Sequence, residues 1–365
     1  MTKLTVQPGI LDIAPYVGGE SDIDGAGRII KLSSNEGALG PSPLAAASFA
    51  AISTDIHRYP DGNCTELRRA IGDIHGVDPA GVICGSGSDE IISLICQAYA
   101  GAGDEVVYSR HGFLMYPISA LAVGATPVAA PEKDLTADVD ALLAAVTAHT
   151  RIVFLANPNN PTGTYISEDE VSRLRQALPG DVLLVIDAAY AEYVERADYD
   201  AGVALVEAHD NVVMTRTFSK IYGMGGVRLG WAYCPPGVVD VLQRIRGPFN
   251  VNAAAQAAGA AAVRDTDFTA KVRAHNAEWL PWTRDQLLSL GLKVTDSVGN
   301  FVLVCFDGIA GKDAEAADAF LKQNGIIVRR MAGYGLPECL RITVGTEAEM
   351  RAVVDALGRY LGRNE

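Results

Sequence analysis

Positive charge is scarce in this 365-residue chain, in which 30 Lys and Arg residues stand against 44 Asp and Glu residues, for a net charge of −14. Such a surface has no basic field to attract nucleic acid or an anionic membrane, so neither partner is expected. No apolar run is long enough to span a membrane, and the opening stretch MTKLTVQPG lacks the apolar core of a signal peptide. We therefore expect a cytoplasmic protein.

Cysteine and histidine are also scarce, with six of each. The sequence contains no C-x-x-C pair and no H-E-x-x-H motif, so no metal site is expected. The cysteines are expected to be reduced and mostly buried thiols. The glycine loop at 85–90, GSGSDE, has Glu90 where a dinucleotide fingerprint needs its third glycine, so that fingerprint is absent.

Short apolar runs alternate with helical patterns in the first two thirds of the chain. This alternation predicts an α/β fold with a mostly parallel sheet covered by helices. One run is apolar until it ends at Asp187, which is typical of a central strand buried on both faces. The expected strands are 82–84, 105–108, 126–129, 151–156, 182–187, 211–215 and 229–233.

A second pattern follows Pro235-Pro236 and predicts a compact α+β domain. Pro281 is expected to kink or interrupt a helix. The T-x-x-E form of Thr346 to Glu349 is a capping box that predicts where the last helix begins. The expected elements are strands 300–306, 326–330 and 340–344 and helices 313–324 and 347–362. We predict an N-terminal arm (1–44) that joins the small domain, a large domain (45–265) and a small C-terminal domain (266–365).

Polar groups gather where the expected strands end, which is where open α/β sheets bind ligands. The 85–90 loop opens a helix whose N-terminus presents backbone N–H groups to an anion. The turn NPNNPTG at 157–163 follows the strand 151–156. Asp187 closes a buried strand, and a carboxylate there is costly unless a positive group meets it. Tyr190 follows three residues later.

The stretch TRTFSKIYGMGGVRLGW, from Thr215 to Trp231, contains Lys220 close to the hydroxyls of Thr217 and Ser219, and Arg228 follows after three glycines. A glycine turn can bring this amine and this guanidinium together. A phosphorylated aldehyde needs both, because the amine forms a Schiff base and the guanidinium binds the phosphate. For this window alone, a surface lysine before a flexible loop remains an alternative interpretation.

Taken together, NPNNPTG, the D-x-x-Y motif at 187–190, the T-x-S-K motif at 217–220 and Arg228 resemble fold-type-I pyridoxal-phosphate aminotransferases. Within that group, LSSNE at 32–36, RYPDG at 58–62 and YGLPECLRITVGT at 334–346 are similar to the histidinol-phosphate aminotransferase family. The similarity spans nearly the whole chain. Directly after LSSNE, this chain has Gly37-Ala38 where Asn-Pro is common in the family.

The resemblance implies a role for each residue at the strand ends. Lys220 would hold pyridoxal 5'-phosphate covalently, and Asp187 would keep the ring nitrogen protonated. Tyr190 and Asn160 would donate hydrogen bonds to the phenolic oxygen. The other implied contacts are with the phosphate (Arg228, Thr217 and the amides of Ser88 and Asp89), with the ring (Phe113), with the phosphate of the partner subunit's cofactor (Tyr59), and with the substrate (Tyr16, Asn35, Arg329 and Arg341).

The activity implied by the resemblance is amino-group transfer between L-histidinol phosphate and 2-oxoglutarate in histidine biosynthesis, by a homodimer with a shared active site. The same residues would also suit an aromatic amino-acid aminotransferase acting on Phe or Tyr, or a phospho-amino-acid decarboxylase or lyase. A non-catalytic regulator that binds the cofactor is disfavoured, because the sequence has no helix-turn-helix extension and no basic region.

Overall fold

The structure is a computed structural model that describes residues 4–23, 27, 29–309 and 311–363. The strands are β1 (Ile30–Lys31), β2 (Val82–Gly85), β3 (Glu105–Ser109), β4 (Thr126–Ala130), β5 (Glu132–Lys133), β6 (Thr136–Ala137), β7 (Thr150–Ala156), β8 (Leu183–Asp187), β9 (Val212–Thr217), β10 (Gly230–Tyr233), β11 (Lys293–Val294), β12 (Phe301–Cys305), β13 (Ile326–Ile327), β14 (Arg329–Met331) and β15 (Leu336–Thr343).

Helices pack on both faces of the larger sheet, and other helices pack against the smaller sheet. They are α1 (Pro43–Ala51), α2 (Thr65–His75), α3 (Ser88–Tyr99), α4 (Met115–Ala122), α5 (Val139–Ala144), α6 (Glu168–Ala177), α7 (Val203–Ala208), α8 (Pro236–Ile245), α9 (Ala253–Arg264), α10 (Thr266–Ser289), α11 (Ala314–Gln323) and α12 (Glu347–Leu361). Within the described residues, none of these helices is long and apolar enough to cross a membrane.

The larger sheet has seven strands in the order β2-β10-β9-β8-β7-β3-β4. Only β10 runs antiparallel to its neighbours, and the other adjacent pairs are parallel. All seven strands expected in the first part of the chain are confirmed, and together they form this sheet. The α/β fold class with a mostly parallel sheet is therefore confirmed.

The two faces of this sheet are buried in separate apolar clusters, which explains the unbroken apolar runs in the sequence. On β7, Val153 and Leu155 pack into one cluster, and Ile152 and Phe154 pack into the other. All five residues of β8 are buried, so Asp187 is carried into the interior by its strand. Because side chains alternate along a strand, each face receives every second residue.

The smaller sheet has the order β11-β12-β15-β14 and is antiparallel. The arm strand β1 pairs in parallel with β13 instead, with Ile30 opposite Ile326. The expected strand 326–330 is divided into β13 and β14, and β15 begins four residues before its expected start, at Leu336.

Pro281 does not interrupt its helix, contrary to one of the two expected effects. Helix α10 is 24 residues long and includes Pro281 in its interior. The helix buries Val272, Trp279 and Leu287. A proline removes one backbone hydrogen bond from a helix interior. Apolar packing along the rest of the helix outweighs this loss, since tertiary contacts supply most helix stability in proteins.

The expectation that all six cysteines are reduced is wrong for two of them. Cys305 and Cys339 form a disulfide, and the other four cysteines are free and buried. The bonded residues are 34 positions apart in sequence but directly opposite each other on β12 and β15. Their spacing carried no indication of a pair, because the register of the two strands brings them together.

The capping box at the start of α12 is confirmed, with the Glu349 carboxylate accepting from the Thr346 backbone N–H at 2.8 Å. We expect Thr346→Ala to lower the free energy of unfolding by about 1 kcal/mol, because an N-terminal backbone group of the helix loses its partner. Urea denaturation measures the change. Thr346→Ser keeps the hydroxyl and is the matched control, and an equal loss in both variants would contradict the capping role.

Candidate active site

A cavity of about 440 Å³ lies between the carboxyl ends of the large-sheet strands, the arm and the small sheet. Its lining includes every expected site residue except Tyr59, although these residues are spread over more than 300 positions of sequence. The expected residues in the lining are Tyr16, Asn35, Ser88, Asp89, Phe113, Asn160, Asp187, Tyr190, Thr217, Lys220, Arg228, Arg329 and Arg341.

Lys220 extends into this cavity from the loop after β9. Its Nζ donates to the backbone oxygen of Ser34 at 3.3 Å and lies 5.7 Å from the centre of the Tyr190 ring. Burial lowers the pKa of Lys220 to about 7, and the nearby charge of Arg341 acts in the same direction. Part of the amine is therefore uncharged at neutral pH, as a nucleophile or base must be.

A close backbone contact holds the Lys220 loop against the arm. Gly223 has a φ of 66°, and a Cβ atom there would lie 2.2 Å from the backbone oxygen of Gly40. Gly37 lies on the same contact, where a Cβ atom would be 3.1 Å from the Lys220 backbone oxygen. Only glycine at position 223 permits this approach, so Gly223 is a packing requirement of the loop after Lys220.

Asp187 lies at the floor of the cavity and is 5% exposed. Tyr116 donates to one carboxylate oxygen at 2.7 Å, and Thr215 donates to the other at 3.1 Å. Within the described residues Asp187 has no ion-pair partner. Burial raises the pKa of Asp187, while the two hydroxyl donors and the charge of Lys220 oppose that rise. A cationic ring nitrogen at this end of the cavity would complete the pairing.

Tyr116 contacts Asp187 although no sequence motif pointed to it. It is fully buried on α4 and stacks on Phe154 with ring centres 4.6 Å apart. It also meets Phe113 edge to face at 6.0 Å. The one local indication was its position three residues after Phe113, in the segment that leads into α4.

The opposite end of the cavity is suited to an anion. Helix α3 begins at Ser88, and no side chain caps the N–H groups of its first turn. A Cβ atom on Gly230 would lie 2.3 Å from the Ser88 nitrogen, so glycine permits this close approach. Arg228 pairs with Asp89 at 2.6 Å beside these amides. Free N–H groups, a helix dipole and a guanidinium are together suited to a phosphate.

Tyr190 and Asn160 line the same cavity. Tyr190 is buried, and its hydroxyl accepts a hydrogen bond from the Asn35 side-chain amide at 2.9 Å. Asn160 Oδ1 accepts from Arg341 at 2.5 Å, which leaves the amino group of Asn160 available to a ligand. Burial raises the pKa of Tyr190, and the charge of Arg341 opposes this effect, so the phenol stays protonated and able to donate.

Two arginines line the small-sheet side of the cavity. Arg329 on β14 and Arg341 on β15 are directly opposite each other in the strand pairing. Arg341 is 6% exposed and donates to the Ser33 backbone oxygen at 2.8 Å, while its Nε has no hydrogen-bond partner. Neither arginine has a carboxylate partner among the described residues. Like charges directly across a sheet repel, so this pair favours a bound anion.

Tyr59 is the one expected site residue that does not line the cavity. It is 83% exposed and stacks on Phe249 with ring centres 4.7 Å apart. The expectation for Tyr59 concerned a partner subunit, so its position outside the cavity of its own chain does not contradict that expectation. Within the described residues, no cluster of His, Cys, Asp and Glu side chains is suited to a metal ion.

The chemistry of the cavity fits pyridoxal 5'-phosphate. An anion site, a lysine amine and a carboxylate without a cation occupy the same space, and this cofactor carries a phosphate, an aldehyde and a basic ring nitrogen. The lining residues could thus meet each polar group of the cofactor. Phe113 lies in the lining as well, where an aromatic ring can stack on the cofactor ring.

The model of the family "Aminotransferase class I and II" matches residues 27–357. The chain belongs to the class I and II aminotransferase family. Among its relatives, this aminotransferase is 61% identical to the histidinol-phosphate aminotransferase of Paramagnetospirillum magneticum, over 99% of this chain and 100% of that one. It is 59% identical to the protein of that name from Rhodospirillum rubrum, over 99% of both chains.

Solved structures agree with this assignment. The aminotransferase is similar to the histidinol-phosphate aminotransferase of Sinorhizobium meliloti in complex with pyridoxal-5'-phosphate, with a TM-score of 0.85, 31% identity and 92% coverage of each chain. A Thermus thermophilus aspartate aminotransferase variant shares the fold at a TM-score of 0.78, with 21% identity and 91% coverage of each chain. The fold-type-I aminotransferase fold expected from the resemblance is confirmed.

The lowered pKa of Lys220 leads to a pH prediction for the cofactor-free aminotransferase. Acetylation of Lys220 by acetic anhydride, followed by mass spectrometry, should reach half its maximal rate near pH 7, because only the neutral amine reacts. The exposed Lys271 gives an internal reference in the same sample. A midpoint near the ordinary lysine value of about 10.4 would show that the cavity does not lower the pKa.

Proposed function

We propose that this aminotransferase uses pyridoxal 5'-phosphate to transfer the amino group between L-histidinol phosphate and 2-oxoglutarate, giving imidazole acetol phosphate and glutamate. When bound, the cofactor supplies an electron-withdrawing ring that stabilises negative charge on the substrate Cα. The two relatives at about 60% identity carry the name of this activity. The paired arginines of the cavity are the observation in this chain that supports a phosphorylated substrate.

Each polar group of the cavity has a task in this proposal. Lys220 would hold the cofactor covalently, and once the amino group of the donor has displaced it, the free amine would take the Cα proton and return it. Asp187 keeps the proton on the ring nitrogen. Arg228, Thr217 and the first amides of α3 bind the phosphate of the cofactor.

Arg329 and Arg341 distinguish between substrates in this proposal. A carboxylate needs one bidentate guanidinium, whereas a phosphate has acceptor oxygens for two. Arg341 is buried near Lys220 and would bind both the phosphate-ended and the carboxylate-ended substrate. Arg329 is partly buried and would add its guanidinium mainly to the phosphate. Tyr16, which is half exposed at the mouth of the cavity, would contact the substrate as well.

The test measures glutamate formation from 2-oxoglutarate with histidinol phosphate or with phenylalanine as donor. Arg341→Ala should reduce kcat/KM for both donors, whereas Arg329→Ala should reduce it much more for histidinol phosphate. The larger losses should correspond to about 2–5 kcal/mol, because the anionic end of the substrate loses a charged partner.

Arg330→Ala is the matched control, because Arg330 is the next residue on β14 but pairs outside the cavity with Glu315 at 3.0 Å. It should leave both activities close to wild type. Equal losses for the two donors in Arg329→Ala would contradict the phosphate-ended substrate and favour an aromatic amino-acid aminotransferase.

We further propose a homodimer in which Tyr59 contacts the cofactor phosphate of the partner subunit. The exposed Tyr59 and Ile56 form, with the half-exposed Phe249, an apolar surface that a second copy would cover.

We also propose a cytoplasmic location, where thiols are kept reduced, because four of the six cysteines are free. Cell fractionation tests this location.

Tyr59→Phe should weaken pyridoxal phosphate binding by about 10-fold or more, since a hydrogen bond to a charged group contributes about 1.5–3 kcal/mol. Mixing refolded Tyr59→Ala and Lys220→Ala chains should restore turnover, because one site of the mixed dimer then has both residues intact. Sedimentation should show a dimer. Absence of restored turnover in a verified mixed dimer would contradict the shared site.

A further inference from the structure

Asn35, in the arm between β1 and α1, has an unusual backbone conformation for a buried residue. Its φ is 54°, in the left-handed region, and the residue is 1% exposed. Asparagine tolerates this region better than most side chains, but the conformation persists only where the surroundings fix it. The contacts of Asn35 show what fixes it.

Asn35 makes hydrogen bonds to three separate parts of the chain. Its backbone N–H donates to Thr343 Oγ1 on β15 at 2.9 Å, and the same hydroxyl lies 3.2 Å from Asn35 Oδ1. The backbone oxygen accepts from Asn300 at 3.1 Å, just before β12. The side-chain amino group donates to Tyr190 Oη at 2.9 Å. Asn35 therefore connects the small sheet to the phenol that faces the cavity.

The contact with Asn35 determines what the Tyr190 hydroxyl can do. Its oxygen already accepts a hydrogen bond, and its own proton has no acceptor within the described residues. The proton is therefore available to a ligand in the cavity. A hydroxyl that accepts a hydrogen bond is also a stronger donor, because neighbouring bonds polarise each other.

We propose that Asn35 is a positioning residue, which fixes the Tyr190 hydroxyl as a donor to the cofactor's phenolic oxygen and ties that donor to Thr343 on β15. This role differs from the substrate contact that the resemblance implied, because the Asn35 side chain is already engaged. It rests on the cofactor placement in the proposed function. Donation to the phenolic oxygen would stabilise its negative charge. That oxygen would then hold less strongly the proton on the nitrogen that joins Lys220 to the cofactor.

The experiment follows the visible absorbance of the cofactor bound to Lys220 as a function of pH. In Asn35→Gly the pH midpoint should rise by about 0.5–1 unit, because a weaker donor leaves the phenolic oxygen more basic. Glycine adopts the left-handed conformation without strain and keeps the backbone hydrogen bonds, so only the side chain is tested.

A second pair of variants tests the connection to the small sheet. Thr343→Val removes the hydroxyl that holds Asn35 and should raise the midpoint by a smaller amount. Thr343→Ser keeps that hydroxyl and should restore the wild-type midpoint. These variants also keep the proposal testable where Asn35→Gly does not fold.

A double-mutant cycle separates positioning from a general change in the cavity. In a Tyr190→Phe background, Asn35→Gly should give no further shift, because the donor that it strengthens is gone. An unchanged midpoint in Asn35→Gly, or the same shift in both backgrounds, would overturn the proposal. The midpoint is read without substrate, so a failure of the histidinol-phosphate assay is a separate outcome.

Discussion

A buried carboxylate without a cation constrains the rest of this cavity. Asp187 is held by two hydroxyl donors, Tyr116 and Thr215, which satisfy its oxygens but do not neutralise its charge. Such a group is stable only if a positive ligand visits it or if it binds a proton. The opposite imbalance exists in the same lining, where Lys220, Arg329 and Arg341 have no carboxylate partner among the described residues. A ligand with a basic ring and an anionic end would satisfy both.

The topology of the sheet makes this separation of charge possible. Parallel strands β7, β8 and β9 end at one edge, so the residues that follow them meet there although they lie far apart in sequence. The small sheet faces that edge and contributes the arginines from β14 and β15. The arm contacts both, through Gly37 beside the Lys220 loop and through the Asn35 backbone N–H, which donates to Thr343 on β15. The cavity therefore depends on all three segments of the chain.

The disulfide between Cys305 and Cys339 lies on the same two strands that position Arg341 and Thr343. It joins β12 to β15 at the end away from the arm, while Phe301 and Thr343 pair at the other end of the ladder. The position of β15 is thus fixed by a covalent bond as well as by backbone hydrogen bonds. The position of β15 sets where Arg341 reaches into the cavity and where Thr343 meets Asn35 of the arm.

The sequence alone determined the strands of the large sheet, the capping box of α12 and the polar motifs at the strand ends. These followed from local patterns: apolar runs for buried strands, a T-x-x-E spacing for a cap, and polar residues directly after apolar runs. The cavity residues outside those motifs, such as Tyr16 and Arg341, were implied by the family resemblance. Tertiary structure decided the rest. Tyr116 reaches Asp187, Asn35 reaches Tyr190, Arg329 faces Arg341 and Cys305 bonds to Cys339 because of strand register and domain packing. Such contacts join residues far apart in sequence. Their distances depend on how the segments pack against each other, which no local pattern specifies.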